Sequence, residues 1–111
     1  MSMSHYADYL REKTKDFILE TPDGFATYRF LENDHVYLID LFVVPLKRRG
    51  GAATAMADQV VAIAKKRGSK VLVSSVVPSA KGSTDSLRVL LAYGMTLSRL
   101  DGGLIIFRKD I

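Results

Sequence analysis

Residues 43–56, VVPLKRRGGAATAM, place Lys47, Arg48, Arg49, Gly50 and Gly51 between an apolar run and a helical pattern, an arrangement suited to holding phosphate. Gly50 and Gly51 carry no Cβ and admit positive φ, so the backbone can close around a bulky anion, and Ala52 and Ala53 keep the approach open. The arginines supply paired N–H groups that match phosphate oxygens. A solvated basic loop with an ordinary glycine turn has the same composition, so the chemistry depends on what flanks it. Upstream, residues 39–44 (IDLFVV) are β-branched and aromatic, and Pro45 cannot donate a ladder hydrogen bond, so a strand should stop there. Downstream, Ala53, Met56, Ala57, Val60, Ile63 and Ala64 recur at helical spacing. The turn therefore feeds the N-terminus of a helix, where unpaired N–H groups and the peptide dipoles favour an anion.

The combined spacing resembles motif A of the GNAT superfamily of N-acetyltransferases. In that family a strand ending in Val-x-Pro is followed by Arg/Gln-x-x-Gly-x-Gly/Ala and a helix with a large apolar residue. Here these are Val43, Val44 and Pro45, then Arg48, Arg49, Gly50, Gly51, Ala52 and Ala53, then Met56. A Walker A loop would need Gly-Lys-Ser/Thr after its second glycine, and a dinucleotide fingerprint would need three glycines and a later acid. The resemblance implies that acetyl-CoA is bound by Phe42, Val43, Val44, Arg48, Arg49, Gly50, Gly51, Ala52, Ala53 and Thr54. It also implies that two central strands part beyond the motif, that the pantetheine arm pairs with the freed backbone near residues 41–44, and that the Val43 N–H meets the thioester oxygen.

The family's closing helix typically begins with Asn, carries Tyr seven residues on and ends in Gly-Phe. Counting back from Gly94 and Met95, Ser83 stands where Asn would touch the cofactor, and Leu90 stands where Tyr would protonate the leaving thiolate. A thiol with a reference pKa near ~8.5 can leave at neutral pH with help from water or a hydroxyl, so the loss slows the step without forbidding it. Tyr93, Ser83 and Ser86 are the candidates for that proton. An acceptor amine with a reference pKa near ~10.4 must lose a proton before it attacks, and Asp40, an acid in an otherwise apolar strand, is the candidate base. Each has a plainer reading: Tyr93 precedes a helix-ending glycine and would pack inward, and Asp40 would face solvent or pair with an arginine. Tyr37, three residues before Asp40, should point to the opposite strand face.

The elements that must position these residues follow from periodicity and turn chemistry. Residues 5–15 read as a helix with Tyr6, Tyr9 and Leu10 on one side and Ser2 or Ser4 as cap. Residues 16–20, 25–31 and 36–44 read as antiparallel strands, residues 52–67 as the motif helix stopping at Gly68, and residues 70–77 as a strand parallel to the one before it. A short helix capped by Ser83 or Thr84 runs to Tyr93, and strands at 95–100 and 104–109 flank a turn at Asp101, Gly102 and Gly103. The expected fold is α/β, an α+β mixed sheet of GNAT type. It has about six strands, mostly antiparallel, helices on both faces, and a splay between the strands ending near Val44 and Val77. Relative to the family the chain lacks a first strand and one N-terminal helix.

At 111 residues the chain is read as a single domain, residues 1–111, with a substantial core. There is no cysteine, and His5 and His35 are the only histidines, so no disulfide or metal centre is expected. No window is apolar enough to cross a bilayer and the first residues have no apolar signal region, so a cytoplasmic protein is expected. The net charge of +4 is concentrated at Lys47 to Arg49 and Lys65 to Lys70, where phosphate binding and helix termination account for it. The leading reading is an acetyl-CoA-dependent N-acetyltransferase acting on a primary amine of a protein or small molecule, with no metal. The alternatives are a CoA-binding regulator on the same scaffold and, more weakly, a basic nucleic-acid-binding domain. Exposed sheet edges allow a homodimer.

Overall fold

The structure, a computed structural model, describes residues 5–48, 50–81 and 83–111. Helix α1 (His5–Lys13) leads to strands β1 (Phe17–Thr21), β2 (Gly24–Leu31) and β3 (His35–Val43). A 3-10 turn at Pro45–Lys47 precedes α2 (Ala52–Lys66), followed by β4 (Val71–Val76), α3 (Ser83–Ala92), β5 (Thr96–Asp101) and β6 (Leu104–Asp110). One six-stranded sheet results, in the order β1-β2-β3-β4-β6-β5, antiparallel throughout except for the parallel β3–β4 pair. This is the mixed sheet and the element order expected from the sequence, but the helices do not cover both faces: Val60 and Ala64 of α2, Leu90 of α3 and Arg11 of α1 all meet the same face. Ser2 and Ser4, the suggested caps of α1, and Arg49 lie outside the described residues, as do the side chains of Ser83 and Thr84.

The core lies between α2, α3 and one face of the sheet. Val60 and Ala64 of α2 and Leu90 of α3 meet Ala26, Tyr28, Val36, Leu38, Leu72, Val76 and Phe107, with Met95 just beyond α3. Apolar residues at alternate strand positions and at helical spacing are what bring these surfaces together. Helix α1 differs from its sequence reading: it buries Ala7 at 1% exposure, while Tyr6 and Tyr9 are each 54% exposed. Arg11 and Arg67 lay their guanidinium groups over the Phe17 ring, at 4.0 and 5.3 Å from its centroid.

Two local features set the geometry of β3. A Cβ on Gly24 would sit 1.8 Å from the Phe42 carbonyl oxygen, so only glycine lets β2 start so close to the end of β3. The β2–β3 register then slips: Thr27 pairs with Asp40 but Tyr28 pairs with Leu38, leaving Ile39 as the extra residue of a β-bulge. The bulge reverses the sequence expectation for Tyr37 and Asp40. One added residue restores an even spacing in terms of faces, so both point to the side opposite the helices, in line with their partners Arg29 and Thr27.

Asp16 is 7% exposed and accepts a hydrogen bond from Arg29 Nε. That bond holds its carboxyl below the ordinary carboxylate range, against the opposing effect of burial. A lowered folded-state pKa stabilises the fold fully above the unfolded value of ~3.9, and the contribution disappears as pH falls through the folded value. The stability advantage of the wild type over Asp16→Asn in urea unfolding should stay constant from about pH 7 to 5 and close below about pH 4. A gap unchanged at pH 2.5 would contradict the assignment.

Candidate acetyl-CoA site

Strands β3 and β4 pair over only four rungs, from His35↔Val71 to Leu38↔Ser74. Past that point they part, as the sequence reading expected. The last rung is closed by a side chain: buried Ser74 donates its hydroxyl to the Leu38 carbonyl at 3.0 Å, so the ladder ends without an orphaned acceptor. The gap beyond is a cleft of about 330 Å³ that passes between the strands. Ile39, Asp40 and Leu41 line one wall, Ser75, Val76 and Val77 the other, and Ala80, Lys81, Ser86, Val89 and Leu90 its remaining side. Its volume suits an extended arm of a ligand rather than a whole nucleotide.

The freed edge of β3 presents backbone groups to this cleft. Val44 donates its N–H to the Asp23 carbonyl, on the β2 side, at 2.8 Å. Backbone groups alternate along a strand, so the N–H groups of Leu41 and Val43 point the other way, into the gap. The Val43 carbonyl on that edge accepts a bond of 2.9 Å from Arg48 Nε, and the Arg48 guanidinium lies 5.6 Å from the Phe42 ring centroid. Phe42 itself is stacked on Phe25 at 5.5 Å, on the same side of the sheet as Asp40. Arg48 therefore folds back along the strand instead of standing over the turn.

Just past β3, the chain delivers the α2 N-terminus. Gly51 is its N-cap with φ 82°, in the left-handed region, and no side chain caps the helix. The first bond in the helix is from the Ala55 N–H to the Gly51 carbonyl at 3.0 Å, so the N–H groups of Ala52, Ala53 and Thr54 are left outside the helix ladder. A Cβ on Gly51 would meet nothing within 4 Å, so the chain is open on that side of the helix cap. Gly50 lies beside it, 3.5 Å from Lys47 O at its notional Cβ.

The catalytic candidates separate. Asp40 is exposed and lines the cleft, opposite Thr27, whose buried hydroxyl has no hydrogen-bond partner. Tyr37 joins this face through a 2.6 Å bond between its hydroxyl and Ser75 Oγ. Ser86 also lines the cleft, and the side chain of Ser83 lies outside the described residues. Tyr93 is directed elsewhere: its hydroxyl donates to Asp58 on α2 at 2.6 Å, and Lys109 Nζ sits 4.2 Å from its ring centroid. Burial, then the bond to the Asp58 carboxylate, pushes the phenol well above its usual range. Leu90 is 8% exposed and fills the core at the inner end of the cleft. Lys81 was missed from the sequence, where a lone lysine in a Ser/Gly loop carried no pattern; only the fold brings it to the cleft.

A strand pair that parts beside an open, uncapped helix N-terminus is the arrangement that motif A required. The family model described as acetyltransferase (GNAT) family matches residues 4–88. The chain belongs to the GNAT acetyltransferase family. Solved structures carry the same fold at low identity. A GNAT-family protein from Desulfovibrio desulfuricans is 17% identical with TM-score 0.77, covering 93% of this chain and 75% of its own. The PaiA N-acetyltransferase from Thermoplasma acidophilum, solved in complex with coenzyme A, is 16% identical with TM-score 0.76, covering 96% of this chain and 68% of its own. The ribosomal-protein-S18-alanine N-acetyltransferase from Escherichia coli is 17% identical with TM-score 0.68, covering 100% of this chain and 79% of its own. No curated protein sequence matches. Among the described residues of this GNAT domain, no helix is long and apolar enough to cross a membrane.

Tyr93→Phe removes one hydrogen bond outside the cleft. It should lower stability by about 1 kcal/mol and leave acetyl transfer within twofold of wild type. Loss of transfer at unchanged Tm would instead return Tyr93 to the chemistry.

Proposed function

We propose that this GNAT domain transfers the acetyl group of acetyl-CoA to a primary amine, on a protein lysine, a protein N-terminus or a small molecule. The observation that carries the proposal is a pair of backbone donor sets, close in the chain, that lie outside their ladders among the described residues: the β3 edge at Leu41 and Val43, and the first turn of α2. A pyrophosphate on the N–H groups of Ala52, Ala53 and Thr54, in the space before Gly50 and Gly51, would place the pantetheine arm along Phe42, Val43 and Val44. Lys47, Arg49 and Lys81 would add positive charge around the phosphates. An arm pairing with β3 would take over the Val43 carbonyl from Arg48, releasing that guanidinium toward the phosphates.

Acetyl-CoA, as cosubstrate, supplies an activated thioester; the chain supplies position and electrostatics. The Val43 N–H lies on the β3 edge turned away from β2, where it would polarise the thioester oxygen. Asp40 lines the same cleft with its carboxylate exposed, suited to holding the acceptor ammonium and passing its proton to water. Ser86 or water would protonate the departing thiolate. No metal is called for. A second reading, CoA binding without transfer, is favoured by the closing helix itself, whose Leu90 is buried and whose neighbour Tyr93 is bonded to Asp58.

Gly51→Trp tests the cradle. Its side chain would occupy the open space before the α2 N–H groups, and calorimetry should show acetyl-CoA binding reduced by at least a hundredfold. Gly51→Ala adds only a methyl group and left-handed strain of about 1 kcal/mol, so it should keep binding within about tenfold. Wild-type protein that fails to bind millimolar acetyl-CoA would sink the proposal. Binding without transfer to any amine in a broad panel would select the second reading.

A further inference from the structure

The sheet face that carries Asp40 and Tyr37 continues across β4, β6 and β5 to a second, smaller hollow. Pairing fixes the rows. Tyr37, Val73, Arg108 and Thr96 lie side by side, and Ser75, Ile106 and Arg99 form the next row. Strand alternation puts both rows on the face opposite the helices, and the register shift between Leu97 and Arg99 keeps Arg99 on that face. Across these rows, toward the paired end of β3 and β4, lies a cavity of about 150 Å³ lined by Leu31, His35, Val73, Ser98, Arg99, Ile106 and Arg108.

Its polar lining contains no carboxylate. Arg108 donates one N–H to Asp110 at 3.2 Å, and Arg99 stands 3.8 Å from Asp101, both with their carboxylates outside the hollow. A guanidinium has five N–H donors, so each arginine keeps most of them free. His35 gives its Nδ1 to the Asn33 carbonyl at 2.7 Å, which holds the ring in place. Two guanidinium groups and a hydroxyl over an apolar floor of Leu31, Val73 and Ile106 match one small anionic group on an aliphatic stem. The volume is several times that of a water and below that of a complete small-molecule site, so it suits a side chain rather than a whole ligand.

The distance to the cleft gives this hollow its meaning. Ser75 lies at the cleft wall, and Arg99 is two strand spacings away in the same row, about 10 Å between backbones; from β3 the span is about 15 Å. An extended peptide covers that in three to four residues. We propose that the hollow is an acceptor-specificity subsite, taking the carboxylate of an acidic residue three or four positions from the amine being acetylated. The acceptor is then a peptide segment whose amine sits by Asp40 and whose acidic side chain reaches Arg99 and Arg108. This rests on the transferase reading for the amine, while the anion site stands on its own geometry.

Two measurements separate those dependences. In a ¹⁵N–¹H titration with glutarate, the amides of Ser98, Arg99 and Arg108 should shift saturably, and the shifts should vanish in Arg99→Gln/Arg108→Gln. Both arginines are surface residues, 66% and 46% exposed at the side chain, so the double variant should fold as wild type. Shifts spread evenly over surface basic residues, or retained in the double variant, would overturn the subsite whether or not the protein transfers acetyl groups. In transfer assays, pentapeptides with glutamate at the third or fourth position from the reactive amine should show a KM at least fivefold below their glutamine counterparts at equal kcat. The double variant should erase that difference. Equal KM values for the two series in the wild type would overturn the link to the acceptor, and 0.5 M salt should weaken any real preference.

Discussion

The proposed cosubstrate site of this GNAT domain depends on two parallel strands that are held together at one end and held apart at the other. At the paired end α2 pins Val36 of β3 and Leu72 of β4 under Val60 and Ala64. At the open end each strand is bound to its outer neighbour instead. β4 stays with β6 as far as Val76↔Ile105, and β3 stays with β2 as far as Gly24↔Val43. The missing Cβ of Gly24 and the bond from Val44 to Asp23 tie the far end of β3 to β2, well beyond its last rung with β4 at Leu38. An open strand edge inside a sheet would normally be an unsatisfied surface; here the Ser74 hydroxyl ends the ladder cleanly and Arg48 occupies the Val43 carbonyl.

The same parting aligns two kinds of backbone donor. The α2 N-terminus follows β3 after a single short turn, so the helix's free N–H groups and the strand's free N–H groups open toward neighbouring space. Neither depends on a particular side chain, in keeping with an architecture shared by solved structures only 16 to 17% identical to this chain. Side chains then individualise the site: Asp40 and Tyr37 on one sheet face, Lys81 at the cleft, and the arginine-lined hollow beyond.

The sequence was most legible where periodicity and backbone chemistry agree. The motif helix was read as residues 52–67 and is Ala52–Lys66, because Gly51 before it and Gly68 after it are conformational punctuation. The order of elements along the chain followed from periodicity and turn chemistry, and the β3–β4 splay from the resemblance at motif A. The face of Asp40 relative to Tyr37 was misread because a bulge leaves no mark in alternation; Ile39 is apolar like its neighbours and the slip is visible only in the pairing. Helix α1 was oriented by its tyrosines, yet close approach to the sheet selects the smaller Ala7. Tyr93 has a partner set by tertiary packing, Asp58 thirty-five residues away, and Arg48 turns back within its own loop to the Val43 backbone; no residue pattern announces either.

The central claim is that the parted edge of β3 receives the cosubstrate arm, and amide hydrogen exchange at Leu41 and Val43 tests it most directly. These two N–H groups lie on the β3 edge turned away from β2, while the Phe42 N–H between them faces β2 and serves as an internal reference. On saturation with acetyl-CoA, exchange at Leu41 and Val43 should slow by at least tenfold with Phe42 little changed. Unaltered exchange at both amides in protein shown to be saturated would place the ligand elsewhere and contradict the account.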